Sequence, residues 1–462
     1  MTTSGITIAA FLVLTAAVGA VAAVSDATRE CVSCHRDLMP GLVGEWERSQ
    51  HYNADVGCFE CHGAASTEPD AFEHQGQTIA IIVSPKDCSR CHPAEYEQFE
   101  RSHHANAGAI LGSLDNELGE VVEGPAAATV GCKQCHGSVV RVGIDRRLDP
   151  ETWPNSGMGR INPDDSKGSC AACHSRHAFA DELARRPENC GKCHLGPDHP
   201  QKEIYEESKH GIAFYGNVDK MNLGNPSWVV GRDYSAAPTC ATCHISATAG
   251  QPIIHDVGDR ISWTLRPPIT QRIDAAAGTA GKPVKPWAER RDSMKDVCIN
   301  CHTSSYVDAH YQQYDDAIAL YDEKFARPAT DVYKALRASG IITADVTFDD
   351  PIEWTYFYLW HHEGRRARMG VAMFAPDYAQ WHGFYEVGDR FYQHFVPEAR
   401  GLVEAARGTG GEKANEADRI STLIDEILHR DEHKWYLNQE DPAVKAARKQ
   451  AADQFKTRYE KY

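Results

Sequence analysis

One pattern of cysteine and histidine, Cys-x-x-Cys-His, recurs eight times along this chain. Its cysteines are Cys31 and Cys34, Cys58 and Cys61, Cys88 and Cys91, Cys132 and Cys135, Cys170 and Cys173, Cys190 and Cys193, Cys240 and Cys243, and Cys298 and Cys301. Its histidines are His35, His62, His92, His136, His174, His194, His244 and His302. Two thiols at this spacing add to the vinyl groups of a haem, and the adjacent imidazole reaches one axial position of the iron. Each unit therefore predicts one covalently bound c-type haem.

The cysteine count argues for eight haems and against the other uses of Cys-x-x-Cys. A lone pair of this kind can bind zinc or act as a redox pair, and a disulfide framework needs no histidine after every second cysteine. Here all 16 cysteines lie in the eight units, and every unit has its histidine. We therefore expect eight c-type haems, with their iron, as the cofactors.

Histidines outside the units are the expected source of second axial ligands. Electron-transfer haems commonly have two strong ligands, because six-coordinate iron changes oxidation state with little rearrangement. The candidates that lie in or near the haem-binding part are His51, His103, His104, His177, His210, His255 and one of the adjacent pair His361 and His362. Any one of them alone could be an ordinary histidine, whereas most of the set is expected to bind iron. His394, His429 and His433 lie in charge-rich predicted helices and are interpreted as ordinary.

A carboxylate and an imidazole, Asp198 and His199, lie side by side just after the sixth unit and outside every Cys-x-x-Cys-His pattern. In one interpretation His199 is another axial ligand and Asp198 caps a helix. In the other, the pair faces an iron with an open position and accepts protons from a bound substrate while electrons leave through the metal. The spacing alone leaves both interpretations open.

The sequence pattern changes at about Tyr311 and predicts two domains in a mainly α fold with little regular sheet. Residues 25–310 contain all eight units and few long periodic segments, so short helices around a haem-packed core are expected. Residues 311–462 contain no cysteine and are expected to form an α-helical C-terminal domain. Apolar residues recur there at helical spacing, which predicts helices over 312–337, 352–364, 388–407, 415–434 and 441–459.

The N-terminal residues 1–24 are apolar and end in small residues, which favours a cleaved secretory signal over a retained helical anchor, although no Lys or Arg precedes the apolar core. We therefore expect a periplasmic or otherwise exported protein that is soluble after signal removal. The formal net charge of −17 argues against nucleic acid or an anionic membrane surface as a partner.

Several segments resemble the octahaem hydroxylamine oxidoreductase family, and with all eight units in order the resemblance extends over essentially the whole chain after residue 24. These segments are the run from Trp153 to His199, SKHG at 208–211, APTCATCH at 237–244, HDVGDRISWTLRP at 255–267, LWHHEGRRARMG at 359–370 and APDYAQWHGFYEV at 375–387. The resemblance implies that the fourth haem, on Cys132, Cys135 and His136, is catalytic and has no second protein ligand. It also implies that Asp198 and His199 line its pocket as proton acceptors and substrate positioners.

The resemblance further implies a homotrimer in which a tyrosine of a neighbouring subunit is bonded to the catalytic porphyrin in the oxidising members. Tyr378 is the first candidate for this role and Tyr385 the second; an ordinary buried tyrosine is the alternative at either position. Arg365, Arg366 and Arg368 either pair with haem propionates or form a solvated basic face of a helix.

The implied activity is oxidation of hydroxylamine to nitric oxide or nitrite, with electrons passing through bis-histidine haems to a small c-type cytochrome. Hydrazine is an alternative substrate. A reductive enzyme that acts on nitrite or hydroxylamine is a second alternative, although the reductive branch of the family lacks the cross-linking tyrosine. A multihaem electron conduit without catalysis is a third, and it would require eight haems that each have two ligands.

Overall fold

The computed structural model describes residues 24–110, 117–277, 285–343 and 345–460, so the predicted signal lies outside the described residues except for Val24. Helices dominate, and the named strands form two short antiparallel pairs, Phe72–His74 with Gln77–Ile79 and Trp263–Thr264 with Gln271–Arg272. The prediction of a mainly α fold with little regular sheet is therefore confirmed. Within the described ranges, no helix has the length and apolar composition needed to cross a bilayer.

The part of the chain that contains the eight units is built from short helices, many of which begin with proline. A proline at the first helical position costs nothing, because the N–H that it lacks would be unpaired there. The α-helices are Asp26–Leu38, Pro40–Trp46, Gln50–Asn53, Cys58–His62, Pro85–Cys88, Pro93–Arg101, Ala107–Ile110, Pro125–Val130, Cys132–His136, Asp181–Arg185, Pro187–Gly191, Gln201–Glu207, Lys209–Tyr215, Cys240–His244, Ile273–Ala277 and Trp287–Cys298. A π-turn at Leu118–Val122 and 3₁₀ turns at Cys170–Ala172 and Val218–Lys220 complete this part.

The chain after the last unit forms long helices interrupted by π-turns. The α-helical segments are Ser304–Tyr321, Arg327–Ala338, Pro351–Phe357, Gly364–Ala372, Pro376–Ala379, Glu386–Asp389, Val396–Arg407, Gly411–Leu428 and Pro442–Tyr459. The π-turns are Asp322–Ala326, Tyr358–Glu363, Gln380–Tyr385 and Arg390–Phe395. The first continuous helix spans 304–338 and crosses the predicted domain boundary at 310. The helices predicted at 352–364 and 388–407 are longer than expected, and the helix predicted at 415–434 ends at Leu428.

Two of the π-turns explain how helices continue through proline. Pro328 and Pro397 each lie two residues after a π-turn ends. A proline inside a helix lacks the N–H donor, and its ring clashes with the carbonyl of the fourth residue before it. The wider π-turn relieves this clash, so the chain stays helical where a proline would otherwise end the helix.

The apolar core lies mainly in the C-terminal helices. The buried members of the largest cluster all lie between Tyr321 and Leu428, with Leu336, Phe391 and Phe395 at its centre. The buried members of the two smaller clusters lie between 204 and 375. The described residues before 204 contribute no buried member to these clusters, which is what a region packed around porphyrins requires.

His433 corrects one expectation from the charge pattern. It lies in the turn that follows Leu428 rather than on a charged helix, and its side chain is completely buried. The Tyr392 hydroxyl lies 2.8 Å from its Nδ1, and its ring lies against that of Phe391 at 5.5 Å. Burial lowers the pKa of His433 to about 4. His433 is therefore a neutral histidine of the core, and it lies outside the predicted charged helix.

Candidate haem centres and active site

The geometry of a helical turn brings the reactive atoms of a unit together. Three units, Cys58–His62, Cys132–His136 and Cys240–His244, each form one turn of α-helix. Residues three and four apart share a helix face, so the two thiols point the same way. At the seventh unit a capping box fixes the turn: Thr239 N–H donates to Thr242 Oγ1 at 2.9 Å, and Thr242 N–H donates to Thr239 Oγ1 at 3.4 Å.

Backbone carbonyls orient two of the unit histidines for metal binding. His62 Nδ1 lies 2.8 Å from the carbonyl oxygen of Ala80, and His244 Nδ1 lies 3.2 Å from that of Val257. A carbonyl oxygen only accepts hydrogen bonds, so Nδ1 must be the nitrogen that has the proton. The lone pair is then on Nε2, which is the atom free to bind a metal.

Pairs of imidazoles are spaced as two ligands of one iron would be. Metal–nitrogen bonds to histidine are about 2 Å long, so two imidazoles on one metal have ring centres about 6 Å apart. The ring centres are 6.1 Å apart for His35 and His74, 6.3 Å for His51 and His92, 6.0 Å for His104 and His194, and 6.1 Å for His210 and His302. His51, His104 and His210 are predicted second ligands; His74 is a partner that the sequence analysis did not select.

Three further predicted ligands are placed near units by electrostatic interactions and neighbouring contacts rather than by ring-centre distances. His177 interacts electrostatically with His62, and its N–H donates to Glu45 Oε2 at 3.1 Å. His255 interacts electrostatically with His174 of the fifth unit and with His92 of the third, and its backbone N–H donates to Gln98 Oε1 at 2.8 Å. His103 lies against Gly258, next to the carbonyl that orients the seventh unit. All three are placed by residues far away in the chain.

Burial keeps these six predicted ligands neutral, which is the form of histidine that binds metal. In each case removal from water is the largest cause and lowers the pKa of the imidazole; for His104 the pKa falls to about 4. The six histidines are His51, His103, His104, His177, His210 and His255. The donor set therefore fits haem iron.

Contacts between cysteines place the units in a row. The sulfur atoms of Cys88 and Cys170 are close neighbours, as are those of Cys190 and Cys240, while Cys31 and Cys58, Cys61 and Cys88, Cys173 and Cys190, and Cys243 and Cys298 are close enough to interact electrostatically. The order of units is thus first, second, third, fifth, sixth, seventh and eighth. Cys135 contacts Cys193, which attaches the fourth unit to the sixth. Adjacent attachment points suit electron transfer between cofactors.

Asp198 lies at the centre of a half-buried charged cluster. Its Oδ1 is 2.8 Å from His199 Nδ1, and its Oδ2 is 3.5 Å from Arg365 Nη1 and 4.0 Å from His361 Nδ1. The π-turn Tyr358–Glu363 contains His361, and Arg365 follows four residues later on the same face. Sequence analysis selected His361 as an axial ligand; the structure instead places it against Asp198, with its ring stacked on Phe357 at 4.2 Å.

The charges in this cluster support one another. Burial opposes a charge on Asp198, but His199, His361 and Arg365 outweigh it and hold the pKa of this carboxyl well below its usual range. Burial likewise opposes a charge on His199, but the contact with Asp198 outweighs it and raises the pKa of the imidazole. The pair therefore has the character of a carboxylate and a basic imidazole.

The cluster lies beside the fourth and sixth units. His199 interacts electrostatically with Cys135 of the fourth unit. Its ring centre is 6.1 Å from that of His194 in the sixth unit, the spacing that His104 also has to His194, so geometry alone leaves both histidines as candidate partners of that unit. Since Cys135 and Cys193 are themselves in contact, Asp198 and His199 lie where these two units meet.

The three arginines of the segment 365–368 are paired within the protein, which corrects the expectation of a solvated basic face. Arg365 Nη2 donates to the carbonyl of Arg266 at 3.0 Å in addition to its contact with Asp198. Arg366 pairs with Glu386 at 2.6 Å. The Arg368 side chain is 1 % exposed and donates to Thr270 Oγ1 at 2.9 Å. These contacts fix the helix that contributes Arg365 to the cluster.

The two candidate cross-linking tyrosines differ in their surroundings. Tyr378 is half-buried, and burial raises the pKa of its phenol. Tyr385 is 56 % exposed and lies beside Trp381, with ring centres 5.2 Å apart. A Cβ on Gly383 would lie 2.3 Å from the Tyr378 carbonyl oxygen, and one on Gly370 would lie 2.7 Å from the Tyr378 carbonyl carbon. The lack of side chains at these glycines lets the segment with Tyr378 pack directly on helix Gly364–Ala372.

Two family descriptions match the chain. The family described as seven times multi-haem cytochrome CxxCH matches residues 157–349, and the family of cytochrome c554 and c-prime matches residues 15–63. Both matches fall on Cys-x-x-Cys-His units. The cofactor is therefore c-type haem.

Curated relatives point to the same class of protein. The chain is 28 % identical over 348 residues to a probable nitrite reductase-hydroxylamine oxidoreductase fusion protein of Kuenenia stuttgartiensis. This alignment covers 65 % of this chain and 38 % of that protein. The chain is 28 % identical over 172 residues to the C-type polyheme cytochrome OmcC of Geobacter sulfurreducens, which covers 34 % of this chain and 21 % of that one. The chain thus spans well under half the length of both relatives.

Solved structures share the fold. A hypothetical multiheme protein superposes with a TM-score of 0.72 at 27 % identity, covering 87 % of this chain and 100 % of that one. The Kuenenia stuttgartiensis reducing HAO-like protein complex Kustc0457/Kustc0458 superposes with a TM-score of 0.61 at 21 % identity, covering 82 % and 86 %. The fold, the Cys-x-x-Cys-His units and the relatives together identify the chain as a multihaem c-type cytochrome, which is a class of redox protein. Within that class the chain shares its fold with an HAO-like protein and is 28 % identical to a relative whose name includes hydroxylamine oxidoreductase.

Proposed function

We propose that this protein is an octahaem oxidoreductase that oxidises hydroxylamine to nitric oxide or nitrite at the haem of the fourth unit. The observation that carries the proposal is the partly buried cluster of Asp198, His199, His361 and Arg365 beside Cys135. A purely electron-conducting chain has no need of a carboxylate and a basic imidazole at this position. A site that removes protons and electrons together does.

The proposed ligand set gives seven units a second histidine. We assign His74 to the first unit, His177 to the second, His51 to the third, His255 to the fifth, His104 to the sixth, His103 to the seventh and His210 to the eighth. Ring distances support four of these assignments, and neighbouring contacts support the other three. The fourth unit, with His136, would then face the Asp198 cluster.

Asp198 and His199 would divide the work of proton removal. When bound, the haem supplies an iron centre that accepts electrons from the substrate. Oxidation of hydroxylamine to nitric oxide releases three electrons and three protons, and oxidation to nitrite consumes one water and releases four electrons and five protons. His199 in its neutral form accepts a proton at Nε2 while Asp198 holds Nδ1 and stabilises the imidazolium that results. Arg365 keeps Asp198 ionised.

Tyr378 is the proposed cross-linking residue, and it would act on a neighbouring copy in a homotrimer. Its side chain is partly exposed, which supports contact with a neighbouring subunit. The close packing at Gly370 and Gly383 supports a fixed position for the backbone of Tyr378. Tyr385 remains the second candidate.

Two other reactions use the same pocket chemistry. Hydrazine is a small nitrogen base like hydroxylamine, and its oxidation also needs proton acceptors. A reductive enzyme acting on nitrite or hydroxylamine is the second, and the name of the Kuenenia fusion relative includes nitrite reductase. The reductive alternative predicts no bond between tyrosine and porphyrin.

The proposed setting is the periplasm or another exported location, because c-type haems are attached on that side of the membrane and the N-terminal residues resemble a secretory signal. The proposed electron acceptor is a small c-type cytochrome. The net charge of −17 supports the exclusion of nucleic acid as a partner.

Replacing each tyrosine in turn tests the direction of the reaction. The purified holoprotein is expected to show a red-shifted band outside the ordinary c-haem spectrum when reduced, and subunits that stay joined in denaturing electrophoresis. Tyr378→Phe is expected to abolish both properties and Tyr385→Phe to retain them; the reverse result would assign the bond to Tyr385. Ordinary spectra and freely separating subunits in the unmodified protein would contradict the oxidative proposal, and nitrite reduction would then be measured.

A further inference from the structure

The last helix, Pro442–Tyr459, has no buried residue along its 18 residues. Its large apolar side chains are open to solvent: Val444 is 55 % exposed, Phe455 62 % and Tyr459 69 %. An isolated helix of this length is only marginally stable in water, because helices in proteins depend on packing of an apolar face. The helix is therefore expected to be covered by another surface.

The apolar residues of this helix share one face. Val444, Ala451, Phe455 and Tyr459 are separated by seven, four and four residues, which is the spacing of a single helical stripe. The rings of Phe455 and Tyr459 lie together with centres 4.8 Å apart. The stripe is narrow and has aromatic side chains at its C-terminal end.

The helix is basic although the chain is acidic. It contains five basic residues, Lys445, Arg448, Lys449, Lys456 and Arg458, and one acidic residue, Asp453. The other residues of the chain then contain 43 of the 48 basic and 64 of the 65 acidic residues, a net charge of −21. The charge of the helix is thus complementary to that of the rest of the protein.

The start of the helix is stabilised by local contacts. Asp441 caps it by accepting a hydrogen bond from Ala443 N–H at 2.7 Å. Glu440 pairs with Arg448 through two contacts, at 2.5 and 2.9 Å. These contacts stabilise the first turns of the helix and leave its apolar stripe open.

We infer that Pro442–Tyr459 docks on the acidic body of a second copy of this chain. Two basic helices packed side by side would repel each other, whereas a basic helix on a body of charge −21 is attracted to it. The inference rests on the self-association proposed above and on no step of the haem chemistry.

Sedimentation of the holoprotein tests this inference. The full chain is expected to sediment as an oligomer, and a variant that ends at Asp441 is expected to sediment as a smaller species with an unchanged haem content. Lys445→Glu with Lys449→Glu and Lys456→Glu is expected to weaken association by about tenfold or more, and added salt is expected to weaken the unmodified assembly because it screens these contacts. The matched control is Lys413→Glu with Arg419→Glu, which changes exposed charges on helix Gly411–Leu428.

Three results would overturn the inference. An unchanged mass in the shortened variant would show that other surfaces hold the assembly. A monomeric full chain at micromolar concentration would remove the second copy altogether. Co-sedimentation of the full chain, but not of the shortened variant, with vesicles of phosphatidylglycerol and phosphatidylcholine would assign the helix to a membrane. Hydroxylamine oxidation measured on the same samples reports separately on the proposed function.

Discussion

The side chains around Asp198 define what the protein can do beyond conducting electrons. A carboxylate that stays ionised beside His199 makes that imidazole a stronger base. Arg365 contributes a permanent positive charge to the same carboxylate at 3.5 Å. A base whose strength is set by its neighbours is a common feature of enzyme active sites.

Asp198→Asn is expected to lower hydroxylamine oxidation by roughly 10²–10⁴-fold, the usual contribution of acid–base groups. In the unmodified protein Asp198 raises the pKa of His199, so the neutral base forms only at higher pH and activity rises across that range. The variant loses the carboxylate, the pKa of His199 falls, and the acid limb of the pH profile moves to lower pH. The measurement is the rate against pH.

Glu206→Gln is the matched control for this variant, because Glu206 pairs with Lys202 at the surface. Its pH profile should match that of the unmodified protein. An Asp198→Asn profile that keeps its acid limb in place would mean that His199 is not the titrating base.

At the residue scale, the haem-binding units could be predicted from sequence because each is a contiguous motif. The second ligands were harder to predict because folding brings them from distant parts of the chain. Second ligands come from distant segments: His177 is positioned by Glu45 and His255 by Gln98. The proposed ligand His74 was not selected because nothing in its own segment marks it, and the sequence could not show which of the adjacent pair His361 and His362 lies against Asp198.

At the scale of elements, close packing at glycines positions the segment that contains Tyr378. Helix Gly364–Ala372 lies directly on the π-turn Gln380–Tyr385, and a Cβ on Gly383 would lie 2.6 Å from the Ala367 Cα. The contact involves backbone atoms, so it cannot relax by rotation of a side chain. The same helix contributes Arg365 to the Asp198 cluster, which links the two candidate active groups through one element.

Gly383→Ala is expected to destabilise the protein by about 1–3 kcal/mol, the usual cost of overpacking. Thermal unfolding of the holoprotein measures this, and the red-shifted band is expected to weaken because Tyr378 moves. Gly388→Ala is the control, since a Cβ there meets nothing within 4 Å and alanine favours a helix by roughly 0.5–1 kcal/mol. Equal stability of the two variants would contradict the packing argument.

The helix boundaries show how far an apolar pattern can be used. Periodicity found the long C-terminal helices, but two of their limits were displaced next to π-turns, at Tyr358–Glu363 and at Gln380–Tyr385. A π-turn adds a residue to one turn and shifts the apolar stripe, so a pattern with a fixed period loses the helix there.

At the scale of the whole molecule, two kinds of core coexist. The C-terminal helices pack apolar side chains on each other around Phe391 and Phe395. The region with the eight units relies on bound porphyrins for its apolar interior. Composition predicted this division, because cysteine stops at Cys301 and helical periodicity takes over. The order of the units in space, with the fourth attached to the sixth, follows from folding and was not predictable.

The central claim is that one haem per chain, that of the fourth unit, has an open position beside Asp198 while the other seven have two histidine ligands. Electron paramagnetic resonance of the oxidised holoprotein tests it most directly, because five-coordinate and bis-histidine haems differ in spin state. We expect one five-coordinate haem per chain, and we expect its signal to disappear when added azide or cyanide binds to the iron. Eight low-spin haems that do not respond to these ligands would contradict it.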